Sequence, residues 1–148
     1  FEVLKIYDYK KHSIIFETKK TTKITNKYQI EDNIDYLEKF NLNVKNYDDF
    51  TKYCLNLLKT EEKNIYIFGA SIYSSVLLYL GLDKLNISGI LDNSKAKENN
   101  YLYGFEVKIY NPSILKGQNA IVILRNGIYS EEIKKQIMLL NKNTIIID

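Results

Sequence analysis

The sequence has few of the residues that enzymes commonly use for chemistry. Its 148 residues include one cysteine, one histidine, one proline, one arginine and no tryptophan. A single cysteine, Cys54, excludes an internal disulfide, and its position among leucines favours a small buried hydrophobic residue. The one histidine, His12, has no cysteine, aspartate or serine partner pattern around it. We therefore predict no catalytic residue and no metal site within this chain.

Charge of one sign and long hydrophobic segments are also scarce. The net charge is +3, and the lysines are spread without a basic stripe, so no nucleic-acid partner is expected. The longest uncharged apolar stretch, residues 65–82, is interrupted by glycine and serine, which argues against a membrane span. No signal peptide is present, which favours a cytoplasmic location. The chain begins at Phe1 rather than Met, and we interpret it as a piece of a longer protein.

The first part of the chain, residues 1–62, is predicted to form a β-hairpin followed by one or two helices. Residues 1–8 and 13–18 are β-rich runs around a polar turn at 9–12. Apolar spacing predicts a helix at 29–40, a break at the asparagine-rich 41–46, and a helix at 48–59. The side chains expected to face inward from this last helix are Phe50, Tyr53, Leu57 and Leu58.

The second part, residues 63–148, alternates apolar runs with helical patterns. The predicted strands are 65–68, 87–91, 106–110, 120–124 and 144–147, and the predicted helices are 72–80 and 131–140. Short apolar strands joined by helices are typical of a parallel sheet covered on both faces. We therefore predict an α/β fold, a Rossmann-like and mostly parallel sheet with flanking helices.

Gly69, Ala70 and Ser71 lie where the first of these strands turns into its helix. Backbone N–H groups at a helix start attract anions, typically a phosphate. A dinucleotide fingerprint has three glycines, but serines stand at the second and third of these positions, Ser71 and Ser74. Two interpretations stay open: contact with a ligand phosphate or sugar, and a purely structural turn.

Four more candidate residues follow two other strands. Asp92 ends the second strand, 23 residues after Gly69, where an acid accepts hydrogen bonds from a ribose or another diol. The alternative is a turn that Asp92 forms with Asn93. Arg125 and Asn126 follow the apolar run 120–124, and a guanidinium can grip a phosphate or carboxylate. The alternative for Arg125 is a solvated loop residue.

The order of these segments resembles the C-terminal domain of the C-methyltransferase family, S-adenosylmethionine-dependent enzymes that act on nucleotide-linked deoxysugars. The resemblance covers nearly the whole chain. It rests on the strand pair of residues 1–19, Gly69-Ala70, Asp92-Asn93 with Lys97, Gly104 to Pro112, Asn126, and Glu132-Ile133. The chain departs from the family pattern at His12-Ser13-Ile14-Ile15 and at Ile72-Tyr73-Ser74.

The resemblance implies a domain that binds the nucleotide-sugar, while S-adenosylmethionine and the catalytic residues belong to an upstream domain of the same polypeptide. The isolated chain would then be inactive. Gly69, Ala70 and Ser71 would approach a phosphate or sugar, Asp92 and Asn93 would bond hydroxyls, and Arg125 and Asn126 would close the cleft. The alternatives are a stand-alone nucleotide-binding sensor or regulatory module, and the nucleotide-sugar-binding domain of a sugar acyltransferase.

Overall fold

The computed structural model describes residues 1–9, 13–22 and 35–148. The chain divides into two compact units, Phe1–Tyr36 and Leu37–Asp148. This division lies earlier than the boundary expected between residues 62 and 63, which stays a prediction. His12 and residues 29–34, the first half of the helix expected at 29–40, lie outside the described residues.

The first unit contains a β-hairpin, as predicted. Strand β1 (Glu2–Tyr9) pairs antiparallel with β2 (Ser13–Lys19), and Tyr9 lies opposite Ser13 at the turn end. The Tyr7 hydroxyl donates a 2.7 Å hydrogen bond to Glu17 across the pair. Both strands are rich in β-branched and aromatic residues, which favour extended backbone.

One continuous helix, α1 (Asp35–Leu58), replaces the two predicted helices. The break predicted at residues 41–46 is therefore wrong. An apolar stripe repeats every three or four residues through this stretch, and its second half is buried against the sheet. Residues 41–46 are themselves exposed, but asparagine costs a helix only about 0.5 kcal/mol per residue, which does not interrupt it. The stripe comprises Leu37, Phe40, Val44, Tyr47, Thr51, Cys54 and Leu58.

The inward face of α1 also differs from the prediction. Tyr53 and Leu57 were expected to face inward, but both are more than half exposed. Thr51 and Cys54 are fully buried in their place. The helix is therefore rotated slightly from the predicted orientation. Its inward positions are Thr51, Cys54 and Leu58, which are three and four residues apart.

The second unit is built on a five-stranded parallel sheet in the order β5-β4-β3-β6-β7. The α/β, Rossmann-like prediction is therefore confirmed. The predicted third strand, 106–110, shortens to two residues, and a 3₁₀ turn starts directly afterwards at Pro112. The elements are β3 (Asn64–Phe68), α2 (Ile72–Tyr79), β4 (Ile87–Leu91), β5 (Ile109–Tyr110), β6 (Ala120–Ile123), α3 (Ser130–Leu140) and β7 (Ile145–Ile147).

Apolar side chains cover both faces of this sheet. Because successive strand residues point to opposite faces, Ile65 and Ile67 of β3 pack with α1 and α2, while Tyr66 and Phe68 pack with α3. All four residues of β6 are buried, as expected for a strand covered on both sides. None of the helices in the described ranges has the length and apolar composition of a membrane span.

The strand order places a crevice beside β3. The chain runs from β3 outward to β4 and β5, and then returns to the other side of β3 to form β6 and β7. In open parallel sheets, ligands bind beyond the carboxyl ends of the strands near such a reversal. The segments that follow β3, β4 and β6 are therefore the candidates for a site.

Replacing Leu78 by alanine should lower the free energy of unfolding by about 2–5 kcal/mol, because this leucine is fully buried between α2 and the sheet. The matched control is Leu139→Ala on α3, where the side chain is 88% exposed and the expected change is within about 0.5 kcal/mol. Urea unfolding measures both values. Equal losses for the two variants would contradict the packing described for α2.

Candidate functional site

The turn after β3 leaves the start of α2 open. Gly69 has a positive φ of 99°, which favours glycine, and its N–H donates to the Leu91 carbonyl at 2.7 Å. Ser71 precedes the helix in an extended conformation, but its side chain makes no capping hydrogen bond. The backbone N–H groups of Ile72 and Tyr73 therefore have no partner carbonyl within the helix.

The Asp92 carboxylate ties this turn to the loop after β4. Its Oδ2 accepts hydrogen bonds from the Ala70 N–H at 2.8 Å and from Lys97 Nζ at 3.0 Å, and its Oδ1 accepts from the Ser94 N–H at 2.8 Å. The side chain is only 13% exposed. Burial raises the pKa of Asp92, but these three hydrogen bonds outweigh burial and lower it below the usual range. The carboxylate is therefore ionised at neutral pH.

A cavity of about 370 Å³ lies beside the same turn, and we call it the turn cavity. Lys97 lies in its wall, where its ammonium group also donates to the Ala70 carbonyl at 2.8 Å. Tyr101 and Tyr103 are 64% and 95% exposed at the rim. The lining residues are Ala70, Ser71, Ile72, Ser75, Ala96, Lys97, Asn100, Tyr101, Leu102, Tyr103 and Ile109.

Asn126 lies in the crevice between β3 and β6. A Cβ placed on Gly69 would be 2.8 Å from Asn126 Nδ2, so the Asn126 amide lies directly against this glycine and a side chain there would displace it. The Asn126 Oδ1 atom is buried and accepts no hydrogen bond from any described residue. A buried acceptor without a donor is rare in folded proteins and marks a place where a ligand or water donor fits.

Arg125 follows the same strand but points away from the turn cavity. Its guanidinium carbon lies 4.8 Å from the Phe50 ring centroid and 5.9 Å from that of Tyr47, both on α1. Tyr47 in turn stacks on Tyr73 with centroids 5.9 Å apart. Arg125 lines a different cavity of about 510 Å³, which we call the arginine cavity. Its lining residues are Asn43, Asn46, Tyr47, Arg125, Gly127, Ser130, Glu131 and Asp148.

The structure thus brings together only part of the predicted set. Gly69 and Ala70 bond directly to the end of β4, Ser71 lines the turn cavity, and Asn126 contacts Gly69. Asn93 instead exchanges two amide hydrogen bonds with Gln136 of α3, at 3.0 and 2.7 Å. The two cavities share no lining residue, so the single cleft predicted from Ser71, Asp92 and Arg125 is divided in two.

Several residues that line the cavities were not predicted from the sequence pattern. Lys97 entered it only through the family resemblance, and the tyrosines at the turn-cavity rim lie in a polar loop without a motif. Asn43 and Asn46 were assigned to a helix break. The unbroken spacing of Phe40, Val44 and Tyr47 was the signal that would have placed both asparagines on α1.

Cys54 is buried, as its sequence context predicted. It is 0% exposed within the core between α1 and the sheet. Burial raises the pKa of its thiol to about 11, although the nearby Arg125 lowers it in part. The thiol is therefore protonated at neutral pH and is a poor nucleophile.

Asp92→Asn should lower the free energy of unfolding at pH 7 by about 1–3 kcal/mol, because an amide cannot accept all three hydrogen bonds. The folded pKa of Asp92 lies below the unfolded value of about 3.9, so its stabilising contribution is complete above that pH. It is lost as the pH falls through the folded pKa. The gap between wild type and variant should therefore shrink in acid, as followed by urea unfolding from pH 7 to pH 3.

The control for this prediction is Asp83→Asn, the same change at an exposed carboxylate. Its effect should stay within about 0.5 kcal/mol at every pH. A gap for Asp92→Asn that is absent at pH 7, or that widens toward pH 3, would contradict the carboxylate's role.

Comparison with known proteins agrees with the resemblance drawn from the motifs. A family model described as the C-methyltransferase C-terminal domain matches residues 8–146. A search of curated proteins gives no match. The family match includes α1, the five-stranded sheet except for the last residue of β7, and the lining of both cavities except for Asp148. The chain therefore belongs to the C-methyltransferase C-terminal domain family.

Proposed function

We propose that this chain is the nucleotide-sugar-binding domain of an S-adenosylmethionine-dependent sugar C-methyltransferase. Membership of the family supports the methyltransferase assignment. The observation that carries the ligand assignment is the open start of α2 facing a cavity whose wall contains Lys97. This arrangement suits a phosphate group, which every nucleotide-sugar has.

Three features of the turn cavity favour an anion. The N–H groups of Ile72 and Tyr73 lack helix carbonyls, and the helix dipole places partial positive charge at this end. No acidic residue lies in the first turn of α2. Lys97 uses two of its three N–H donors on Ala70 and Asp92, which leaves one for a phosphate oxygen.

The other side of the turn cavity suits a planar ring. Tyr101 and Tyr103 present aromatic surface at the rim, and Ile72, Leu102 and Ile109 add apolar wall. Aromatic side chains stack on nucleobases with little dependence on base identity. We therefore assign the base or sugar to the tyrosine side and the phosphates to the side with Ser71 and Lys97.

Asp92 has a supporting role in this proposal. Both its oxygens already accept hydrogen bonds from Ala70, Ser94 and Lys97, so it fixes the turn and the lysine rather than gripping a hydroxyl. We place the cofactor and the acid–base residues in another domain of the same polypeptide.

The family match favours this proposal over the sensor module and the acyltransferase domain. The proposed ligand class also agrees with the cytoplasmic location expected from the sequence, which stays a prediction.

Lys97→Gln should weaken binding of nucleoside diphosphates and nucleotide-sugars about tenfold, or about 1.4 kcal/mol, because it removes one charge-assisted hydrogen bond. Isothermal titration with uridine diphosphate, thymidine diphosphate and uridine diphosphate glucose measures the change. The matched control is Lys95→Gln, since Lys95 is exposed and does not line the turn cavity.

A thermal-shift panel of the same ligands with S-adenosylmethionine gives an independent test. A ligand at ten times its Kd stabilises the fold by about 1.4 kcal/mol. Stabilisation by S-adenosylmethionine and by no nucleotide would overturn the proposal. Equal loss of affinity in Lys97→Gln and Lys95→Gln would remove Lys97 from the site.

A further inference from the structure

The arginine cavity lies apart from the turn cavity and has its own cation. We propose that it is a second binding site, for a small hydroxylated molecule that carries a phosphate or carboxylate group, such as a sugar phosphate or a sugar acid. The inference depends on Arg125 and its surroundings, and it holds whatever ligand occupies the turn cavity.

Arg125 has no anionic partner in the part of the chain that the structure describes. Its interactions there are with two rings, Phe50 and Tyr47, at 4.8 and 5.9 Å from the guanidinium carbon. A guanidinium stacked on an aromatic face is held in place while the N–H groups at its edge stay available. These donors form a planar fork that matches the two oxygens of a carboxylate or phosphate.

The acidic residues of the cavity form no ion pair with Arg125. Lys134 binds both carboxylates of the lining, Glu131 at 2.9 Å and Asp148 at 2.8 Å, so they share one cation that is not Arg125. No carboxylate oxygen of the described residues lies within 4 Å of the guanidinium nitrogens. The guanidinium N–H donors of Arg125 therefore remain available to bind an anion.

The neutral groups of the lining suit hydroxyls. Asn43 and Asn46 are three residues apart on α1, so their amides lie on the same face of the helix. Ser130 adds a hydroxyl group at the start of α3. Each amide offers both donors and an acceptor, which matches a hydroxyl that donates and accepts. The volume of about 510 Å³ falls within the range of small-molecule sites.

The two cavities are separated by protein. Tyr47, in the wall of the arginine cavity, stacks on Tyr73 at the start of α2 with the ring planes 4° apart. Ser71 and Ile72, just before Tyr73, line the turn cavity. One cation therefore serves each cavity, Lys97 in the turn cavity and Arg125 in the other.

The single arginine makes the site directly observable. Because the chain has one arginine, its Nε–Hε group gives one cross-peak in a ¹⁵N correlation spectrum. Titration with glucose 1-phosphate should shift this peak in a saturable way, and glucose alone should leave it unchanged. Inorganic phosphate should shift it with lower affinity. An Arg125 peak that does not respond to either anion would overturn the proposal, and equal affinities for both would overturn its hydroxyl-binding part.

A charge change at an exposed lining residue tests the location. Asn46→Asp adds a carboxylate to the arginine cavity at an exposed helix position, and should weaken glucose 1-phosphate binding at least tenfold. Asn143→Asp is the control, since this exposed residue lies before β7 at the opposite end of the sheet.

The Lys97→Gln variant separates the two sites. It should leave the titration of the Arg125 peak unchanged, because Lys97 does not line the arginine cavity. Equal weakening of glucose 1-phosphate binding in Lys97→Gln and Asn46→Asp would assign the sugar phosphate to a shared site and overturn the proposal. The nucleotide assignment of the turn cavity would still be tested by its own nucleotide titrations.

Discussion

The buried Asp92 carboxylate is the contact on which the carboxyl edge of the sheet depends. It accepts hydrogen bonds from Ala70 in the turn after β3 and from Ser94 and Lys97 in its own loop, so one ionised group joins two segments. Without it, the Ala70 N–H would lose its partner and Lys97 would lose its orientation. The Asp92 carboxylate thereby fixes the wall of the turn cavity. It also orients the Lys97 N–H that is proposed to bind a phosphate oxygen.

Helix α1 has a comparable role on the other side of β3. Its buried half closes one face of the sheet, and its ring side chains, Phe50 and Tyr47, hold Arg125. The Tyr47–Tyr73 stack joins α1 to the start of α2 and stands between the two cavities. The same helix thus covers the sheet and holds Arg125, and the edge of the sheet presents two cavities, each with one basic residue in its wall.

The sheet could be predicted from the sequence because each strand of the second unit is a short apolar run between turn signals. Strand β4 was predicted at its observed bounds, and the residues after β3, β4 and β6 were expected at one edge. The prediction failed where asparagine was given too much weight as a helix breaker. The asparagines at 41–46 suggested a break, but each costs a helix little, and these exposed residues continue the helix that packs against the core from Tyr47 onward.

The sequence pattern alone could not predict the side-chain directions at the carboxyl edge of the sheet. Arg125 and Asn126 are neighbours in sequence, yet one stacks on α1 and the other enters the crevice beside Gly69. Which direction each takes depends on the space left by α1 and by the missing Cβ of Gly69. Those are properties of the assembled fold, so the division of one expected cleft into two cavities had no local signal.

The short strand β5 has a consequence for self-association. An open sheet edge is a template on which another chain can add a strand. Here both backbone groups of Ile109 are already bonded to the preceding loop: its carbonyl accepts from the Asn99 N–H at 2.9 Å, and its N–H donates to the Asn100 carbonyl at 2.8 Å. Pro112, two residues after the strand, lacks an N–H to continue the ladder. This border of the sheet is therefore closed against intermolecular strand addition by the fold's own backbone.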